Sequence, residues 1–261
     1  MEQVRAHGIT ITCSRAGSGP PLVLVHGAAG DHRSWTPQLQ ALAADFTVIA
    51  WDEPGAGGSD DVPEHFTVAD YAHCLADLIT HLGVGPANIV GLSWGGTLVI
   101  ELYRHHPELV SRMVLADTYA GWKGSLPADE VNARVNGFHA ALHGEKFDPT
   151  LPGLFSSGTP RQYESLLAEI TASVRRRSMA HALDLMAETD QRDVLPRIAV
   201  PTLLVWGAQD ARSPLEIVGH QFERAIPGAQ LAVIHDCGHM SNLEAPDVFN
   251  RLVREFCLPQ A

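Results

Sequence analysis

Six short runs rich in aliphatic residues recur along the chain: PLVLVHG (21–27), FTVIAWD (46–52), NIVGLS (88–93), RMVLAD (112–117), PTLLVWG (201–207) and AQLAVIH (229–235). Helical patterns separate them, and that alternation specifies a parallel sheet, because parallel neighbours need a crossover and the crossover helices cover the sheet. Near-continuous apolar character in several runs implies burial on both faces. Ahead of them, QVRAHGITITCSRAG alternates and turns at His7-Gly8, which predicts an antiparallel hairpin on one edge. The expected architecture is therefore α/β: a mostly parallel eight-stranded sheet with helices on both faces.

Between the strands, Thr67 to Leu82 sets Val68, Tyr71, Leu75, Leu78, Ile79 and Leu82 at helical spacing, with Thr67 and Asp70 as a capping box and Gly83 as the stop. Further helices are expected from Trp94 to about His106, from Pro214 to Arg224 and from Pro246 to Phe256, the last two opened by proline. From Thr118 to about Ile198 no buried strand is apparent, while Asp129 to His143 and Arg161 to Asp190 read as helical. The simplest organisation is a core made of residues 1–118 and 199–261, with 119–198 as a helical lid inserted after the sixth strand. Ligands of open α/β sheets bind at the carboxyl ends of the strands, so such a lid would roof the site.

The formal net charge of −12 repels nucleic-acid phosphates and anionic membranes. The first residues, MEQVRAHGITITC, lack a basic segment followed by an apolar core, and no apolar run approaches the roughly 18 residues that span a bilayer. The expectation is a cytoplasmic protein acting on a small molecule, with no nucleic-acid or membrane partner. Cys13, Cys74, Cys237 and Cys257 form no CxxC pair and read as buried thiols. The 14 histidines include no HExxH, so neither a metal nor an organic cofactor is expected.

The chemistry concentrates at Gly91-Leu92-Ser93-Trp94-Gly95, a G-x-S-x-G between a strand and a helix. Glycines let so sharp a turn form and leave the hydroxyl exposed above the sheet. A serine is a poor nucleophile without a base and an orienting carboxylate. His239, in the loop beyond AQLAVIH, and Asp210, three residues past Gly207, both fall at strand ends, and the chain order is nucleophile, acid, base. Asp117, at the end of RMVLAD, is a competing acid. His235 and Asp236 compete with His239, but His235 is expected to belong to the strand. Two N–H donors must hold the oxyanion: Trp94 N–H directly after the nucleophile, and Ala28 N–H from the loop HGAAG (26–30). The Trp94 side chain is expected to pack in the core.

HGAAG (26–30), WDEPGAGGSD (51–60), GLSWGG (91–96), GAQD (207–210) and CGHMSNLEAP (237–246) resemble the corresponding segments of the α/β-hydrolase superfamily. The chain looks most like its small capped esterases and lactonases, such as enol-lactone hydrolases and cofactor-free haloperoxidase relatives. The resemblance implies the α/β-hydrolase fold, with Ser93 as nucleophile, Asp210 as acid, His239 as base and Ala28 and Trp94 as oxyanion donors, acting on an ester or lactone without cofactor. Glu53 departs from the pattern, where many relatives carry an apolar residue or Thr, and nothing in the sequence explains it. Ser93-Trp94 is also similar to proline iminopeptidases, in which lid acids hold the substrate amine; Glu130, Glu145, Glu164, Glu169 and Glu188 are the candidates. A ligand sensor that keeps the triad is a third reading. Arg175, Arg176 and Arg177 read either as a solvated helix face or as a clamp for an anionic substrate.

Overall fold

A computed structural model describes residues 1–143 and 153–258 of the 261-residue chain. The predicted hairpin is present as β1 (Glu2–Ala6) and β2 (Ile9–Ala16), turning through His7 and Gly8, both at positive φ. The six apolar runs become β3 (Pro21–Val25), β4 (Thr47–Trp51), β5 (Ala87–Leu92), β6 (Val110–Ala116), β7 (Thr202–Gly207) and β8 (Gln230–Ile234). They form one sheet in the order β1-β2-β4-β3-β5-β6-β7-β8, antiparallel where β2 meets its neighbours and parallel from β4 to β8.

The helices are α1 (Thr36–Leu42), α2 (Val68–His81), α3 (Trp94–His105), α4 (Trp122–Ser125), α5 (Ala128–His143), α6 (Glu164–Ala172), α7 (Arg176–Glu188), α8 (His220–Ala225), α9 (Ser241–Glu244) and α10 (Pro246–Cys257). Side chains alternate across the pleat, so each strand feeds two cores. Val23, Val25, Ile49 and Trp51 pack with Leu75 and Leu78 of α2 and Leu98 of α3. Leu22, Leu24, Val48 and Ala50 pack on the other face with Leu42 of α1 and Phe249 and Val253 of α10. Removing each such side chain from water contributes about 1.5–3 kcal/mol. The α2 capping box is made as its sequence predicts, with the Thr67 side chain accepting from Asp70 N–H and the Asp70 carboxylate accepting from Thr67 N–H.

Helices α4 to α7 all lie between β6 and β7. Within them, Arg161 to Asp190 is not one helix: α6 stops at Ala172, and α7 starts only after Arg175, whose backbone is extended. The Arg175 guanidinium reaches the core loop after β4 and donates to Gly57 O at 2.6 Å, Ser59 O at 2.8 Å and the Asp61 carboxylate at 2.8 Å. That anchorage breaks a continuous helical pattern. The helix expected over Pro214 to Arg224 begins instead as a wide turn over Leu215–Gly219 before α8. All four cysteines are free and buried, and burial pushes their thiols up, Cys13 to about 11 and Cys74 to about 12. Among the described residues no helix is long and apolar enough to cross a membrane.

Candidate active site

Ser93 sits between β5 and α3 with φ 53° and ψ −121°, a backbone conformation that costs a non-glycine residue energy and is kept only where its surroundings fix it. They do: Ser93 N–H donates to Ala116 O at 2.9 Å, and Thr118 Oγ1 donates to Ser93 O at 2.6 Å. The flanking glycines are required by space. A Cβ on Gly95 would stand 2.1 Å from Val25 O, and one on Gly91 would stand 2.6 Å from the Gly96 Cα. A serine at a helix N-cap ordinarily turns its oxygen back onto the first-turn N–H groups. Ser93 makes no such cap, and its hydroxyl lies 2.8 Å from His239 Nε2.

His239 comes from the loop between β8 and α9 and is buried. Its Nδ1 is 2.8 Å from Asp210 Oδ2, which fixes the proton on Nδ1 and leaves Nε2 to accept from the serine. Asp210 lies in the loop after β7, its other oxygen accepting from Arg212 N–H at 2.8 Å and Ser213 N–H at 2.9 Å. Those bonds lock the carboxylate in one orientation. The loops that carry Asp210 and His239 are joined by Gln209 N–H to Cys237 O at 2.8 Å, and Glu244 holds the His239 loop through Gly238 N–H at 2.7 Å. The structure therefore brings Ser93, Asp210 and His239 into one hydrogen-bonded line.

Asp117 is not in that line. Its carboxylate is fully buried, accepts from Gly207 N–H at 2.8 Å and pairs with the Ser241 hydroxyl. Burial, and then the charge of Asp210, push it well above the usual carboxylate range. It braces the β6 and β7 ends from behind. The strand expected to contain His235 ends one residue earlier, at Ile234, and His235 is exposed in the following turn.

Ala28 lies in a turn closed by Gly30 N–H to Gly27 O at 3.1 Å, and a Cβ on Gly27 would touch the Ser93 Cβ at 3.2 Å, so this loop rests directly on the nucleophile. Trp94 N–H belongs to the first turn of α3, where helical N–H groups have no partner within the helix. The Trp94 side chain is fully buried, edge-on to Tyr71 with centroids 5.9 Å apart, and donates its indole N–H to Glu53 Oε2 at 2.8 Å. Core packing was expected; the buried carboxylate partner was not. Glu53 Oε2 and its 41-residue separation from Trp94 leave no spacing signal in the sequence.

A pocket opens over Ser93 and His239. Trp122 of α4, Phe138 of α5, Ile170 of α6 and Leu183 and Met186 of α7 wall it together with Tyr119 and Arg212. Of the acids expected to face such a site, Glu130 pairs with Arg134, Glu164 and Glu188 are exposed, Glu169 reaches Arg33, and none of these four lines the pocket. Glu145 lies outside the described residues. The arginine run is spent elsewhere: Arg175 on the core loop, Arg176 on Leu142 O and Arg177 on Glu64. Among the described residues one group has metal-ligand spacing, Asp31, His32 and Asp52. Its atoms are engaged internally, His32 Nδ1 with Asp52 at 2.7 Å and Asp31 with Arg33 at 2.6 Å.

A model of the alpha/beta hydrolase family matches residues 22–252. The chain is 27% identical over 248 residues to 3-oxoadipate enol-lactonase 1 of Acinetobacter baylyi, covering 92% of this chain and 89% of that protein. In structure it is similar to a thermophilic esterase from Thermogutta terrifontis, with TM-score 0.85, 28% identity and coverage of 98% of this chain and 97% of the other. It is also similar to an enol-lactonase from Burkholderia xenovorans, with TM-score 0.81, 28% identity and coverage of 98% and 100%.

Proposed function

Because this chain belongs to the alpha/beta hydrolase family, we propose that it is a serine hydrolase cleaving a small carboxylic ester or lactone through an acyl-enzyme. The observation that carries the reading is the pair of 2.8 Å contacts from His239, one to Ser93 Oγ and one to Asp210.

His239 Nε2 takes the Ser93 proton as Oγ attacks the carbonyl carbon, and Asp210 holds the resulting imidazolium in place. Ala28 N–H and Trp94 N–H receive the negative charge that develops on the carbonyl oxygen, each worth about 2.7–4 kcal/mol of transition-state stabilisation. The tetrahedral species collapses by breaking the bond to the alcohol oxygen, which takes the proton from His239. Water then gives a proton to His239 and attacks the acyl carbon, and the acid leaves as Ser93 regains its proton.

In this reading residues 119–198 are a cap over a core of 1–118 and 199–261, and the apolar wall contributed by α4 to α7 excludes water and seats the acyl chain. An aromatic and aliphatic wall off which Glu130, Glu164, Glu169 and Glu188 lie favours an ester or lactone over a substrate held by a cationic amine. The related esterase and enol-lactonases point the same way. Steady-state hydrolysis of p-nitrophenyl acetate tests it. Ser93→Ala is expected to lower kcat on the scale of the roughly 10⁶-fold loss recorded for another serine hydrolase. Multiple turnover by that variant at near the wild-type rate refutes the proposal, and a wild-type protein that stops after one turnover makes it a sensor instead.

A further inference from the structure

Glu53 is a buried titratable group that the mechanism above does not use. Only 6% of it is exposed, and it bonds to both segments assigned to the oxyanion. Its side chain holds one of them: Glu53 Oε2 accepts the Trp94 indole N–H at 2.8 Å. Its main chain holds the other, because Glu53 N–H donates to His26 Nε2 at 3.1 Å. His26, with Nε2 so occupied, carries its proton on Nδ1 and donates to Gly27 O at 2.9 Å. Gly27 O and Ala28 N–H belong to the same planar peptide and point in opposite directions, so fixing the oxygen from one side aims the N–H to the other.

We propose that Glu53 is a positioning residue that holds the Trp94 and Ala28 amides in register as an oxyanion site, its carboxyl acting on the first and its main chain, through His26, on the second. The proposal rests on the serine-hydrolase reading. A purely structural need to satisfy an indole does not account for the residue. Trp35, Trp51 and Trp122 each bury their indole N–H without a side-chain or main-chain partner among the described residues, whereas the Trp94 indole meets a carboxyl. A buried carboxyl is a costly way to satisfy one more. Burial also pushes the Glu53 carboxyl well above its usual range.

The test compares Glu53→Leu, Glu53→Gln and Trp94→Phe with wild type and Ser93→Ala, measuring kcat and KM on p-nitrophenyl acetate and the affinity of an alkyl boronic acid as transition-state analogue. Glu53→Leu is expected to lose about 10- to 100-fold in kcat, less than deleting a whole oxyanion donor, with KM within about 3-fold and boronate affinity falling in parallel. Glu53→Gln keeps an acceptor oxygen and recovers most of the loss. In the Glu53→Leu, Trp94→Phe pair the effects do not add, because both act through one hydrogen bond. A Glu53→Leu enzyme with wild-type kcat, a defect confined to KM, or a Glu53→Gln enzyme as impaired as Glu53→Leu overturns the positioning role. If Glu53→Leu does not fold, Trp94→Phe carries the test: a fall in kcat at constant KM supports the role and wild-type kcat overturns it. An active Ser93→Ala overturns the underlying hydrolase reading instead, so the two failures are separable.

Discussion

Two buried aspartates stand at neighbouring strand ends, and their hydrogen bonds set them apart. Asp210 offers one oxygen to His239 and has the other fixed by two main-chain N–H groups. Asp117 accepts from Gly207 N–H and pairs with Ser241, so its bonds are made away from the His239 ring. Asp210→Asn is therefore expected to lower kcat by about 10⁴-fold, as a wrong-tautomer histidine does in another serine hydrolase. Asp117→Asn keeps an acceptor for Gly207 N–H and should stay within about 10-fold of wild type. Equal losses in the two variants would contradict the assignment. At this scale Ser93, Asp210 and His239 were legible because each follows an apolar strand run by a fixed few residues. The Glu53–Trp94 bond was not, since a carboxylate buried against an indole leaves no periodicity behind. Nor was the Thr118 bond to Ser93 O, which depends on β5 and β6 lying side by side.

The strands and the long amphipathic helices could be read within a residue or two, because burial on both faces makes a strand a near-continuous apolar run and the capping box marks where α2 begins. Helix α1 escaped notice: TPQLQAL buries only Gln38 and Leu42 fully, too few positions to make a pattern. The stretch 161–190 misled for the opposite reason. Its apolar spacing runs on through Ser173, while α6 stops at Ala172 and, at the break, Arg175 bonds to Gly57, Ser59 and Asp61 in a distant loop. Arg175 bonds to the core loop, Arg176 to Leu142 O and Arg177 to Glu64, and none of the three lines the pocket over Ser93. Replacing Arg175, Arg176 and Arg177 together with glutamine is expected to lower the unfolding free energy by about 1–3 kcal/mol, the scale of one lost charged hydrogen bond or two. The ratio of kcat/KM for neutral and carboxylate-bearing esters should stay constant. A tenfold or greater shift of that ratio, about 1.4 kcal/mol, would mean that the run does meet the substrate.

Across the molecule, the mostly parallel sheet and its two-sided core followed from strand and helix alternation, while the strand order and the surface clusters built from distant segments did not. One such cluster packs His7, His73, His105 and His106, with His73 Nδ1 2.9 Å from His106 Nε2 and His7 on Asp70. Partial burial, and then the charges of His106, His105 and His7, lower the His73 pKa from 6.5, against the opposing pull of Asp70. The unfolded chain then binds the proton more readily than the folded one, so this residue's stability contribution is full above 6.5 and is lost as pH falls below it. Urea midpoints from pH 7.5 down to 5 should fall more steeply for wild type than for His73→Gln, and parallel curves would contradict the assignment. The central claim, that Ser93 carries the acyl group, is tested most directly by quenching p-nitrophenyl acetate turnover in acid and mapping the peptides by mass spectrometry. One acetyl group is expected on the peptide containing Ser93 and none in Ser93→Ala; an acetyl group on another residue, retained in that variant together with its activity, would rule Ser93 out as the acyl carrier.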